Sequence, residues 1–265
     1  MHGAGAGILV VPATWDAASA RIFQECGAKA IGTTSLGAAN TLGYADGESY
    51  FPADEAIGML RRIVDAVTVP VSGDIEAGYG DPEGTTEAVI EAGAVGLNIE
   101  DRVGDEPKPL SLEEAAARVA AVRKTADRLD FPLVINARTE TLACGGDLDD
   151  AVKRLNTYLE AGADCALPIL PAEHKTTETI RELVERVNGP INAPASAIEL
   201  GMQELERLGV RRVSAMVYFA AQGLVHDMAQ QLLTDGSLEL MKAQKPFTAI
   251  NEIFKQRPRE EAPTS

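Results

Sequence analysis

Apolar and polar positions along the chain fall into a repeating local pattern. Four segments, FQECGAKAIGTTS, VIEAGAVGLNIED, YLEAGADCALPIL and LERLGVRRVSAMV, each carry an amphipathic stretch into a glycine (Gly27, Gly93, Gly162, Gly209) and then into a short apolar run. Glycine just past a helix end supplies the left-handed cap conformation, and an unbroken apolar run reads as a strand buried on both faces. Filling the intervals predicts strands near 7–11, 29–33, 69–73, 95–99, 132–137, 165–169, 190–193 and 212–216. Helices are predicted near 16–26, 53–66, 82–92, 111–128, 147–161, 173–187, 198–208 and 219–233. Asp16, Asp81 with Pro82 behind it, Ser111 ahead of Glu113 and Glu114, and Asp147 mark helix starts. Eight alternations are the number a closed parallel barrel requires, and 265 residues suit one such domain of ~250 residues.

The expected fold is therefore α/β, a (β/α)8 TIM-type barrel over residues 1–265. A C-terminal helical extension over 236–265, including SLELMKAQ and PFTAINEIFKQR, either caps the barrel or reaches a neighbouring subunit.

Charge narrows the partners. Forty Asp and Glu against 24 Lys and Arg give a net charge of −16, with no basic run to track a phosphate backbone, so nucleic acid and anionic membrane are excluded as partners. Cys26, Cys144 and Cys165 form no CxxC or metal-spaced set, which fits a reducing, cytoplasmic setting. No segment reaches the ~18 apolar residues of a membrane span, and MHGAGAGILVVP lacks the charged start of a secretion signal.

Candidate chemistry gathers where the predicted strands end. In a parallel barrel those ends converge on one mouth, and here they carry Thr34 and Ser35, Asp74 and Glu76, Asn98, Glu100 and Asp101, Asn136 and Arg138, and Asn192. Read as i, i+2 on an extended segment, Asp74 and Glu76 point the same way, with Glu100 beside them. Three converging carboxylates repel unless a cation sits among them. A hard divalent ion, Mg2+ with Mn2+ as a substitute, suits such an oxygen set, and no histidine stands nearby to favour zinc. Arg138 is the local positive centre, shaped for a bidentate grip on a carboxylate or phosphonate. His2, His174, His226 and Cys144 are read as bystanders.

The segments TTSLGAANTLGYADGE, GDIEAGYGDP, GLNIED and INARTET, in this order, resemble the isocitrate lyase and phosphoenolpyruvate mutase superfamily over about residues 8–233. The resemblance implies a (β/α)8 barrel, often with its last helix exchanged between the subunits of a homodimer or homotetramer. It also implies Mg2+, a small α-keto or α-hydroxy acid substrate, and cleavage or formation of a C–C or C–P bond through an enolate-like fragment. By position, Asp74 resembles the direct metal ligand, and Asp46, Glu76 and Glu100 the acids that hold the metal's waters. Ser35 with the backbone around Leu36 and Gly37 resembles the carboxylate pocket, and Arg138 and Asn192 resemble substrate-orienting residues.

The stretch EDRVGDEPKPLS departs from the family. Lyases carry a KKCGH-type loop there and mutases a Lys-Thr-Asn; this chain has neither, and Lys108 is the only amine in the stretch. The acid or base is then Lys108, Tyr44, Tyr79 or a metal-bound water. Three functions follow: a Mg2+-dependent lyase of a small 2-hydroxy or 2-keto (di)carboxylic acid, acting by retro-aldol cleavage or decarboxylation; a C–P enzyme of phosphonomutase or phosphonopyruvate hydrolase type; or a non-catalytic keto-acid-binding protein.

Overall fold

A computed structural model describes residues 7–195, 200–234 and, except for 235, 238, 240, 241 and 243, the stretch on to 255. Its strands are β1 (Leu9–Thr14), β2 (Ile31–Thr33), β3 (Val71–Asp74), β4 (Gly96–Glu100), β5 (Val134–Thr139), β6 (Cys165–Pro168), β7 (Asn192–Pro194) and β8 (Arg212–Met216). All pair in parallel, in the order β6-β5-β4-β3-β2-β1-β8-β7, and a single parallel bridge, Ala166 to Ile191, joins β6 to β7. The result is a nearly closed (β/α)8 TIM-type barrel, as the alternation predicts.

The helices are α1 (Ala17–Glu25), α2 (Ser35–Thr41), α3 (Ala53–Ala66), α4 (Pro82–Glu91), α5 (Leu112–Arg128), α6 (Leu148–Glu160), α7 (Thr177–Arg186), α8 (Met202–Leu208), α9 (Tyr218–Thr234) and α10 (Phe247–Lys255). Their starts follow the capping residues. Asp16, Asp81, Ser111 and Asp147 each accept a hydrogen bond from the backbone N–H three residues on, at 2.6, 3.0, 3.1 and 2.8 Å. The four repeated glycines all take positive φ, from +88° at Gly93 to +112° at Gly162, which is why the pattern repeats.

Two helices differ from expectation. α2 was not predicted, because its seven residues hold a glycine, an asparagine and no long apolar stripe. The expected helix over 173–187 instead begins as a 3-10 turn (Ala172–His174), and α7 starts behind its N-cap, Thr176, whose hydroxyl takes the N–H of Thr179 at 3.1 Å. Residues 198 and 199 of the expected helix over 198–208, and parts of the 236–265 extension, lie outside the described residues. α10 packs on α1 of its own chain: Arg21 donates to the carbonyl of Ile253 and lies 5.9 Å from the Phe254 ring centre.

The core divides in two. One buried cluster runs from Ala20 through Ile31, Ile63, Leu97 and Ile135 to Tyr158, and a second from Leu142 through Leu155, Leu183 and Ile191 to Val213. Inside the barrel, between these layers and the mouth, sits a polar tier that includes Asn136, Asn192 and Arg212, all buried.

Candidate active site

The strand ends open into a cavity of about 300 Å3, whose lining includes Ser35, Leu36, Asp46, Asp74, Arg138 and Arg212. Beside it, under the loop that follows β4, is a polar recess of about 40 Å3 reached by Asp46, Glu76, Glu100, Arg102 and Arg138. Such a recess has room for a hydrated or partly hydrated ion, since about 10–15 Å3 admits one water.

β3 delivers Asp74 to the mouth, and its neighbours fix it there. The Asp74 N–H donates to Thr33 Oγ1 at 2.8 Å, and the Ser35 N–H donates to Asp74 Oδ2 at 3.2 Å. The extended reading of Asp74 and Glu76 needs correction: β3 ends at Asp74, and Glu76 takes a left-handed φ of +51° in a tight turn closed by Gly78 N–H on the Ile75 carbonyl. That turn, not the pleat of a strand, buries Glu76 beside Asp74.

The acids repel one another. Burial, then the charges of Asp74 and Asp46, push Glu76 up to about 8, and burial with Asp74 also raises Asp46. Glu100 is raised chiefly by burial; Arg138 opposes this, while Glu76 and Asp74 add to it. Asp46 Oδ1 and Glu76 Oε1 are buried without a hydrogen-bond partner. Orphaned carboxylate oxygens in a polar recess are costly unless a cation or water completes them.

Arg138 is held by acids on two sides. Its guanidinium bonds Glu100 Oε2 at 2.8 Å and Glu140 Oε1, the latter also through Nε at 2.6 Å. Burial works against its charge, yet Glu100, Glu140 and Asp74 outweigh that and hold its pKa above the ordinary arginine value. Glu140 was not anticipated; it stands two residues beyond Arg138 in ARTET, and its N–H donates to Asp101 Oδ1 at 2.8 Å. Asp101 itself turns out of the mouth and also accepts from Thr139 Oγ1 at 2.6 Å and from the Tyr158 hydroxyl at 2.8 Å. It anchors the end of β5 that carries the Arg138 and Glu140 pair.

Other expected residues are placed elsewhere. Lys108 is exposed on the loop and lines neither cavity. Tyr44 packs on Phe51, ring centres 5.6 Å apart, in the apolar shell around α3. Tyr79 is nearer: its N–H donates to Glu48 Oε1 at 2.7 Å, its buried hydroxyl lacks a partner, and burial with the charge of Glu76 raises its pKa. Asn192 is buried at the start of β7 and donates to Ser214 Oγ at 2.9 Å, below the rim rather than on it.

Gly37 also sits behind the cavity. Its N–H faces Thr34 Oγ1 at 3.5 Å, and an added Cβ would lie 2.6 Å from Trp15 Cβ and 2.9 Å from Thr34 Cγ2. Gly37→Ala is expected to cost about 1–3 kcal/mol by overpacking, read as a lowered urea midpoint.

These residues fit a hydrated divalent ion. Among the described residues no group of three or more His, Cys, Asp or Glu side chains forms a direct ligand set. A Mg2+ would be held by one or two carboxylates, with Asp74 foremost, and by waters lodged against Asp46, Glu76 and Glu100, the mode this ion prefers.

An acid-walled recess at the C-terminal mouth of a parallel barrel, beside a clamped arginine, marks an enzyme of the (β/α)8 class. The family model described as phosphoenolpyruvate phosphomutase matches residues 2–233, and the chain belongs to that family, within the isocitrate lyase and phosphoenolpyruvate mutase superfamily. Members of the superfamily are lyases and mutases that act on C–C or C–P bonds, and they generally use a divalent metal. The chain is 35% identical to 2-methylisocitrate lyase of Escherichia coli over 70% of its own length and 64% of the relative's. It is 28% identical to the chloroplastic carboxyvinyl-carboxyphosphonate phosphorylmutase of Arabidopsis thaliana, over 93% and 78% of the two chains. A solved structure from Burkholderia cenocepacia J2315, described provisionally as a lyase/mutase, superposes with a TM-score of 0.86 at 33% identity, covering 96% of this chain and 93% of that one. No helix among the described residues is long and apolar enough to cross a membrane.

Proposed function

We propose that the protein is a Mg2+-dependent lyase that breaks a C–C bond of a small 2-hydroxy or 2-keto (di)carboxylic acid through an enolate. The observation that carries this reading is the set of mutually repelling acids, with orphaned oxygens at Asp46 and Glu76, on the wall of a cavity whose floor and far side hold arginines. When bound, the divalent ion supplies Lewis-acid stabilisation of the negative charge that develops on the substrate's oxygens.

The chain's own residues do the rest. Ser35 and Leu36 at the start of α2 line the cavity, where they would meet a substrate carboxylate; the N–H groups of Ser35 and Gly37 are already taken by Asp74 and Thr34. Arg138, fixed by Glu100 and Glu140, presents a preorganised charge that needs no rearrangement as the bond breaks. The Tyr79 hydroxyl keeps its proton near the acids. Neither a cysteine nor a histidine lines the two cavities among the described residues, while Lys175 lines the larger one. Water at the mouth or Lys175 would protonate the enolate, which suits decarboxylation, and a retro-aldol cleavage would need in addition a base that takes the substrate's hydroxyl proton.

The test is thermal melting with Mg2+ and oxalate, a mimic of the enolate. At a hundredfold excess over its Kd the ligand contributes about 2.7 kcal/mol, a rise of about 5 °C for a chain of this size. The rise should need Mg2+ and should vanish in Asp74→Ala; no rise in the wild type sinks the reading. A panel of 2-hydroxy and 2-keto acids, assayed for keto-acid release, then identifies the substrate.

The match to the phosphoenolpyruvate phosphomutase model favours a second reading, a C–P enzyme, which phosphorus NMR on phosphonopyruvate would reveal. A melting shift with every turnover assay flat would identify a keto-acid-binding protein without catalysis. We also infer a homodimer or homotetramer, supported by the exposed Phe219, Leu224, Leu233 and Phe247 of α9 and α10.

A further inference from the structure

Of the two arginines among the described residues that line the larger cavity, Arg138 is paired with acids and Arg212 is not. It begins β8 and is only 3% exposed, so its guanidinium lies inside the barrel. Among the described residues it forms no ion pair; Nη2 reaches Asn98 Oδ1 at 3.4 Å, and Nε is buried without a partner there. Burial lowers its pKa, with only Cys165 opposing. A buried cation lacking a counterion is costly, and a fold that needed only volume there would do better with methionine or leucine.

The surroundings are incomplete in the same way. Asn136 Nδ2 donates to Asn98 Oδ1 at 2.7 Å and Asn192 Nδ2 to Ser214 Oγ, but the Oδ1 atoms of Asn136 and Asn192 are both buried and unpartnered. Arg212, Asn98 and Ser214 of this tier line the 300 Å3 cavity, and Asn136 and Asn192 lie behind them. The same cavity has Asp74 on its wall, and Asp74 and Asn98 are paired residues on adjacent strands, about 4.8 Å apart across the sheet. Asn98 thus neighbours Asp74 across the sheet and touches the Arg212 guanidinium.

We propose that Arg212 forms the floor of a second anionic subsite, which takes the distal acidic group of a short diacid whose 2-keto or 2-hydroxy end lies at the Asp74 wall. The proposal rests on the function inferred above and specifies its substrate class: a diacid, not a monoacid. Arg138 cannot serve as freely in this role, since Glu100 and Glu140 already occupy its fork. Binding there supplies the missing counterion.

The experiment is calorimetric titration in Mg2+ of 2-oxoglutarate against 2-oxopentanoate, which differ only by a carboxylate in place of a terminal methyl, with oxalate as a control. The wild type should bind the diacid at least tenfold more tightly than the monoacid. Arg212→Met should bring that ratio to about one, and Arg212→Lys, which keeps the charge but loses the planar fork, should fall between. Equal binding of the two acids by the wild type, or a ratio unchanged in Arg212→Met, overturns the subsite while oxalate binding leaves the lyase reading intact. Failure of oxalate to bind in Mg2+ overturns both. If Arg212→Met does not fold, the wild-type ratio and Arg212→Lys still decide.

Discussion

Arg138→Met is expected to destabilise the folded protein by about 3–5 kcal/mol, the usual cost of leaving one side of a buried ion pair uncompensated. Two carboxylates are stranded at once, because Glu100 and Glu140 are both almost fully buried and both bond the guanidinium. Removing the charge that opposes the burial of Glu100 pushes that acid still further toward its neutral form. The loss should therefore be largest above neutral pH and shrink as the solution is acidified. Adding Glu100→Gln and Glu140→Gln to Arg138→Met should restore most of the stability while leaving the protein inactive. Urea denaturation of the single and triple variants in EDTA measures this, and a triple variant no more stable than the single would mean that the arginine acts by packing.

Glu76 should make the metal-free protein weaken as pH rises. Its pKa is about 8 in the folded state against 4.5 in the unfolded chain, so between those values the folded state binds the extra proton. Stability is then highest near the lower end of that window and declines toward pH 8, by at most ~5 kcal/mol for a shift of this size and by less where Asp46 and Asp74 share the proton. Glu76→Gln should flatten the profile and raise the melting temperature at pH 8 in EDTA. Mg2+ should flatten it in the wild type by supplying the opposing charge. A wild-type melting temperature that is level from pH 5 to 8 in EDTA would show that the acids do not repel.

The barrel was readable because it repeats. Four helix-ending glycines with apolar runs behind them fix the αβ period, and Asp16, Asp81, Ser111 and Asp147 fix the helix starts. The acid wall was readable by a rule of position, since strand ends face the mouth. That rule is also why other parts were missed. Arg212 starts its strand instead of ending it, and a long side chain carries its charge up to the bottom of the cavity. Glu140 lies past the end of β5, and its role depends on how Asp101 and Tyr158 tie that end down. Lys108 was singled out as the only amine in its stretch, but chain proximity to Glu100 says nothing about which way an irregular loop faces.

The solitary bridge between β6 and β7 has a mechanical consequence. Every other neighbouring pair of strands is joined by a ladder, and the two apolar clusters divide the barrel into a larger part, through β5, and a smaller one completed by β7 and β8. The molecule is therefore a ring with one seam, where among the described residues side-chain packing of Ala166 on Ile191 and Ala193 does what a backbone ladder does elsewhere. Leu167, Leu170 and Lys175 border the mouth on one lip of that seam, and Pro194 on the other. Leu167 is also the strand partner of Arg138, so the seam lies one strand away from the clamped charge, while Asp74 stands on the fully laddered side of the same wall.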